Sequence, residues 1–169
     1  MKIGNLDGIQ DLRHVLPHVG AYAPRTLSDL SPDGPLRYLV IHHTASDPST
    51  TPLQAALYHV HKLGWPAIGY HLWVAQDGAI SCVGDLLTIR YNVAGRNRDV
   101  IGICLAGDFN LDVPTNPQID AAGVLCANLQ YALGWYVPIR GHRQIALPSS
   151  PTACPGDTYP SWLPFIKSP

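Results

Sequence analysis

At 169 residues the chain is long enough for one domain with a substantial core. A composition of 46% hydrophobic and 14% charged residues, with a formal net charge of -1, excludes a disordered segment and a basic nucleic-acid binder. No stretch is apolar for long enough to span a bilayer, and the near-neutral charge offers no long-range attraction, so binding must come from a local site.

Residues 1–35 are punctuated by Gly20, Pro24, Pro32, Gly34 and Pro35 and form an irregular lead-in, with a helical turn expected over 11–16. The opening MKIGNLDGIQDLRHVLP carries no apolar signal-peptide core, so synthesis in the cytoplasm without a signal peptide is expected. Residues 36–43 (LRYLVIHH) are rich in β-branched and aromatic side chains and predict a buried strand. A helix follows from Thr51-Pro52-Leu53-Gln54, where a threonine N-cap, proline at the first position and glutamine at the third make a capping box. Leu53, Ala56, Leu57 and Val60 would be its apolar face, and Gly64 would end it.

Residues 68–75 and 79–83 predict two strands joined at Asp77-Gly78, a hairpin signal. Residues 84–98 are a loop with a basic centre (Arg90, Arg96, Arg98), and 100–106 (VIGICLA) predict another buried strand. Asn116-Pro117 opens a second helix with Ile119, Ala122, Cys126, Leu129 and Leu133 inward and Gly134 at its close. A short strand over 136–140 leads into Gly141-His142-Arg143, and a proline-rich loop into Cys154-Pro155-Gly156. Asp157 is expected to cap a last short helix through Trp162 and Phe165. Strands interleaved with helices, plus one hairpin, predict an α/β single domain: a central mixed β-sheet flanked by helices.

Eight histidines are candidates for chemistry, and most are expected to be structural. His14 and His18 fall in the lead-in. His59 and His61 lie two apart on a helix, where side chains diverge and cannot share one ion. His71 and Tyr70 are strand neighbours facing opposite ways, so one of the pair can reach a cleft. His42, His142 and Cys154 each lie at or beyond the end of a strand, where α/β sheets build binding sites. Two imidazoles and a thiolate suit zinc, and three ligands leave a fourth position for water. Spacing alone leaves a second reading open, with two polar loop histidines and an inert cysteine.

Four blocks, LVIHHTAS, GWPAIGYHLWVAQDGAI, VIGICLAGDF and GHRQIALPSSPTACPGDTYP, in this order resemble the zinc-dependent N-acetylmuramoyl-L-alanine amidases, which include T7-type lysozymes and peptidoglycan recognition proteins. The resemblance spans about residues 36–166 and implies a peptidoglycan-recognition/amidase-like fold over 36–169. It implies one zinc ion on His42, His142 and Cys154, choosing His42 over its neighbour His43. Tyr70 would point at the attacking water and the scissile carbonyl. Thr152, two residues before the cysteine, matches the catalytic recognition proteins, where T7-type members carry lysine.

His43, Thr44, Trp65, Asn92 and Arg96 are expected at the substrate, with Arg96 or Arg98 near a stem-peptide carboxylate. There are two departures. Asn92-Val93-Ala94-Gly95 stands where a histidine-alanine pair is common, and Cys104 stands where another branch has a catalytic glutamate. The implied activity is hydrolysis of the amide between N-acetylmuramic acid and L-alanine of bacterial peptidoglycan, by a monomer that neither binds nucleic acid nor inserts into membranes. A phage-type endolysin reaching the wall at lysis is the expected setting. The alternatives are a non-catalytic receptor, a cytoplasmic wall-recycling amidase, or a hydrolase of another bond in the stem peptide.

Overall fold

The computed structural model describes residues 8–166. The first seven residues of the lead-in and the last three of the chain therefore lie outside it. The strands are β1 (Gln10–Asp11), β2 (Tyr38–His43), β3 (Leu72–Val74), β4 (Ile80–Cys82), β5 (Val100–Leu105) and β6 (Ile139–Gly141). The helices are α1 (Pro52–His61), α2 (Asn116–Leu133), α3 (His142–Ile145) and α4 (Tyr159–Ile166). One sheet runs in the order β1-β4-β3-β5-β2-β6, parallel throughout except for the β3–β4 hairpin. The expected mixed α/β architecture is therefore present.

β2 and β5 occupy the middle of the sheet, which is why both read as unbroken apolar runs: each is covered on two faces. Leu39, Ile41, Ile101, Ile103 and Leu105 pack against α2 and α4 through Leu125, Leu129 and Trp162. On the opposite face, Trp73 and Cys104 meet Ala56 of α1, while Val40 meets Val93 and Ile145. Alternation along β2 thus sends His42 to the α1 face and His43 to the α2 face.

Both long helices begin with a complete capping box, Thr51 with Gln54 and Thr115 with Gln118. Gly134 ends α2 at φ 75°, a conformation that costs a residue with a side chain far more than it costs glycine.

Several local expectations need correction. Leu53 and Leu57 are 50% and 39% exposed, because α1 turns Ala56, His59 and Val60 inward instead. His59 holds that inner position by accepting the Gly69 amide on Nδ1. Phe165 is exposed. Asp157 pairs with Arg143 at 2.8 Å, and it is the Thr158 hydroxyl that anchors the start of α4, donating to the Phe109 and Asp112 carbonyls. The lead-in is irregular but joined to the sheet. β1 pairs with β4, Leu12 begins the expected helical turn, and Leu16, Tyr22 and Leu30 are buried. Two residues are too few for a period-two pattern to show, so β1 leaves no strand signal in the sequence. Among the described residues no helix is long and apolar enough to cross a membrane.

Candidate metal centre

His42 is the fifth residue of β2, and its Cα partner across the sheet is Cys104 of β5. β6 pairs with β2 on the other side, so the residue after β6, His142, arrives beside His42 with ring centroids 4.7 Å apart. Cys154 comes from the following loop. The backbone N–H of Arg143 donates to the Cys154 carbonyl at 2.7 Å, and the Arg143 side chain binds the Ala153 carbonyl and Asp157. Those contacts bring Cys154 Sγ to 3.5 Å from His42 Nδ1. One ligand atom from each of His42, His142 and Cys154 lies within 4.8 Å of the others.

Burial, reinforced by His142 nearby, pushes the His42 imidazole well below its ordinary value. Burial, with His43 adding to it, takes His142 down to about 4. The Cys154 thiol is pushed up to about 12 by burial, against the opposing pull of the His43 amide and Arg143. At neutral pH the two imidazoles are therefore unprotonated and ready to donate lone pairs, while the thiol must release its proton to solvent as a cation binds. Neutral histidines plus a thiol that becomes a thiolate are a donor set that fits zinc.

The three residues sit in a cavity of about 780 Å³. Tyr70 and Thr152 line it too, Tyr70 with its ring 5.3 Å from that of His42. Burial, with Cys104 and Cys154 nearby, holds the Tyr70 phenol well above its ordinary value, so it is a hydrogen-bond donor at neutral pH. Thr152 Oγ1 accepts the Cys154 amide at 3.1 Å and keeps its own proton to donate. Among the described residues, neither carboxylates nor lysine and arginine line the cavity. The chain contains no glutamate at all, and Cys104, where such an acid could stand, is fully buried.

The other expected site residues divide. Trp65 lines the cavity and packs edge-on against Tyr91. His43 borders it, but its Nδ1 accepts the Phe109 amide at 3.0 Å. Thr44 also borders it, with its hydroxyl donating to the Gly107 carbonyl and accepting the Gly107 amide. Asn92 reaches His42 itself: Oδ1 lies 3.2 Å from Nε2.

Arg96 and Arg98 do not reach the cavity. The first faces Asp99 at 3.6 Å and the second Asp29 at 3.3 Å, so their charges are matched within the loop and its neighbours. Arg90 is buried, donating to Ile68 and Thr88 and lying over the Tyr22 ring. Among the lining side chains that escaped the sequence reading are three large rings, Tyr58, His59 and Tyr91. Tyr58 and Tyr91 are solvent-facing aromatics on a helix and a loop, and the only available signal was their exposure beside a site placed by other means.

Comparison with known proteins agrees with this geometry. A family model described as N-acetylmuramoyl-L-alanine amidase matches residues 32–157. Peptidoglycan-recognition protein SC1a/b of Drosophila simulans is 33% identical over 131 residues, covering 72% of this chain and 68% of that protein. Among solved structures, the Ph2119 endolysin from a Thermus scotoductus bacteriophage is 25% identical with a TM-score of 0.76, covering 95% of this chain and 99% of that one. The amidase LysC from Clostridium intestinale has the same fold, with a TM-score of 0.70 at 24% identity and 95% coverage of both chains.

Proposed function

Because the chain belongs to the N-acetylmuramoyl-L-alanine amidase family, an enzyme class acting on peptidoglycan, we propose that it cleaves the amide joining the lactyl group of N-acetylmuramic acid to L-alanine, as a phage-type endolysin. The observation that carries this is the convergence of His42, His142 and Cys154 in a cavity whose other polar groups are neutral. These three would hold a zinc ion, which when bound supplies Lewis acidity that activates water near neutral pH and polarises a carbonyl.

The protein's own groups do the rest. Tyr70 carries an O–H that burial keeps protonated, available where the carbonyl oxygen gains negative charge. Thr152 offers a second hydroxyl, held in place by the Cys154 amide. With no carboxylate lining the cavity among the described residues, these hydroxyls are the candidate proton donors and oxyanion partners. Trp65, Tyr58 and Tyr91 supply broad apolar surface on which sugar and peptide can rest while water is excluded.

A receptor that binds without cutting has no need of an intact ligand set, and the intact set here supports catalysis. Similarity to the Ph2119 endolysin over 95% of this chain supports the lytic setting over wall recycling. Cytoplasmic synthesis, access to the wall at lysis and action as a monomer go with that setting.

Purified intact sacculi, incubated with the protein, are expected to release stem peptides beginning with L-alanine, and a chelator should stop the release. Shorter peptides would point to a peptidase, binding without release to a receptor, and cleavage of soluble fragments alone to a recycling enzyme. Tyr70→Phe should keep the metal yet slow release by about 100- to 1000-fold, the usual cost of one oxyanion donor. Rates within threefold of wild type would remove Tyr70 from the chemistry.

A further inference from the structure

We propose that Asn92 is a positioning residue for the metal centre, fixing His42 as the tautomer protonated on Nε2 and so presenting Nδ1 as the ligand. This rests on the zinc reading above. It assigns Asn92 a task other than touching substrate.

Hydrogen-bond stoichiometry makes the assignment. Asn92 Nδ2 lies 3.1 Å from the Gly69 carbonyl and 3.1 Å from the Arg90 carbonyl. Both of those partners can only accept, so the amide nitrogen must face them and both its hydrogens are spent. Oδ1 is thereby turned to His42 Nε2 at 3.2 Å. That oxygen can only accept, so Nε2 carries the proton. In a neutral imidazole Nδ1 is then the free lone pair, and Nδ1 is the nitrogen beside Cys154 Sγ.

The surroundings hold the amide in this pose. The backbone N–H groups of Asn92 and Val93 both donate to Asn97 Oδ1 at 2.9 Å, bracing the loop from behind. Beneath it, β5 carries Gly102, where an added Cβ would lie 2.7 Å from Asn92 Oδ1. The bare strand is therefore what lets the amide reach the histidine. A carboxylate could not replace the amide, since its second oxygen would face two carbonyl oxygens. His42 thus has a neutral outer partner, and Cys154 remains the one anionic contributor among these groups.

The test is made on whole protein carrying 15N-labelled histidine. In metal-free wild type, long-range proton–nitrogen spectra should show His42 neutral with its proton on Nε2. Zinc affinity, measured by chelator competition, should fall about 10- to 100-fold in Asn92→Ala, the usual effect of removing an outer partner of a ligating histidine. Gly102→Ala is the second variant, because it crowds only the tip of a side chain and leaves the strand intact. It should also weaken zinc binding and mix the His42 tautomers, with little change in the melting temperature of the metal-free protein. A proton on Nδ1 in wild type, or unchanged zinc affinity in both variants, overturns the proposal. A wild type that binds no zinc sinks the zinc reading instead, and the tautomer still decides the role of Asn92.

Discussion

Cys154→Ala is expected to lose zinc and peptide release together, with affinity falling by more than the roughly 10- to 100-fold typical of outer-partner changes. His42→Ala should do the same, since its Nδ1 lies 3.5 Å from the sulfur and its ring 4.7 Å from that of His142. His43→Ala should keep the metal, because the His43 ring lies on the other face of β2 accepting the Phe109 amide. Its cost is structural, about 1–3 kcal/mol of stability for one orphaned buried donor. Equal metal loss from His42→Ala and His43→Ala would mean the ligand geometry is wrong.

The thiol adds a signature of its own. With Cys154 raised to about 12 and His142 lowered to about 4, a zinc ion arriving at pH 7 should displace one proton, from sulfur. Calorimetry of the wild type in buffers of different ionisation enthalpy should count at least that one proton, with any ionisation of metal-bound water adding to it. A count of zero would exclude the thiolate as a ligand.

Acid should unfold the protein, through histidines that serve as backbone acceptors. His59 Nδ1 accepts the Gly69 amide, His71 Nδ1 accepts the Gly102 amide and His43 Nδ1 accepts the Phe109 amide. All three are buried, and protonating Nδ1 would set one N–H against another. Burial accordingly lowers all three, His59 to about 4, with Arg25 adding to the effect at His71 and Asp108 opposing it at His43.

The sign follows from proton uptake. Below the ordinary value of 6.5 the unfolded chain binds protons that folded His59 refuses until about 4, so stability falls as pH drops across that interval. At about 1.4 kcal/mol per pH unit, His59 alone accounts for roughly 3 kcal/mol, a large part of the 5–15 kcal/mol typical of a domain. Urea melts from pH 7.5 to 4.5 should show the decline. His59→Asn, which keeps an acceptor for the Gly69 amide but cannot titrate, should make it shallower, leaving the share of His71 and His43. A midpoint that does not move with pH would contradict this account.

Much of the fold was legible because its determinants are local. The capping box at Thr51, the turn at Asp77-Gly78, the stop at Gly134 and the apolar runs of β2 and β5 each follow from residues within one turn or one strand of each other. For the site, the residue types offered a soft-cation set beside a reading of two loop histidines and an inert cysteine, and the family resemblance chose between them. Where patterns were too short or too weakly periodic, the sequence was silent, as at two-residue β1, or misleading, as at Leu53 and Leu57.

Which distant residues meet was decided only by tertiary structure. The pairing of β6 with β2 delivers His142 to His42, and the Arg143 contacts deliver Cys154. The loop that looked like a basic wall spends Arg96 and Arg98 on acids of their own and turns Asn92 inward over Gly102. Periodicity reports which face of an element is buried, whereas the partner of a hydrogen bond between segments dozens of residues apart is set by strand order and register. For that reason the chain, through its family resemblance, already set His42 apart from His43, whereas the partners that hold each ring, Asn92 for His42 and the Phe109 amide for His43, could be read only from the fold.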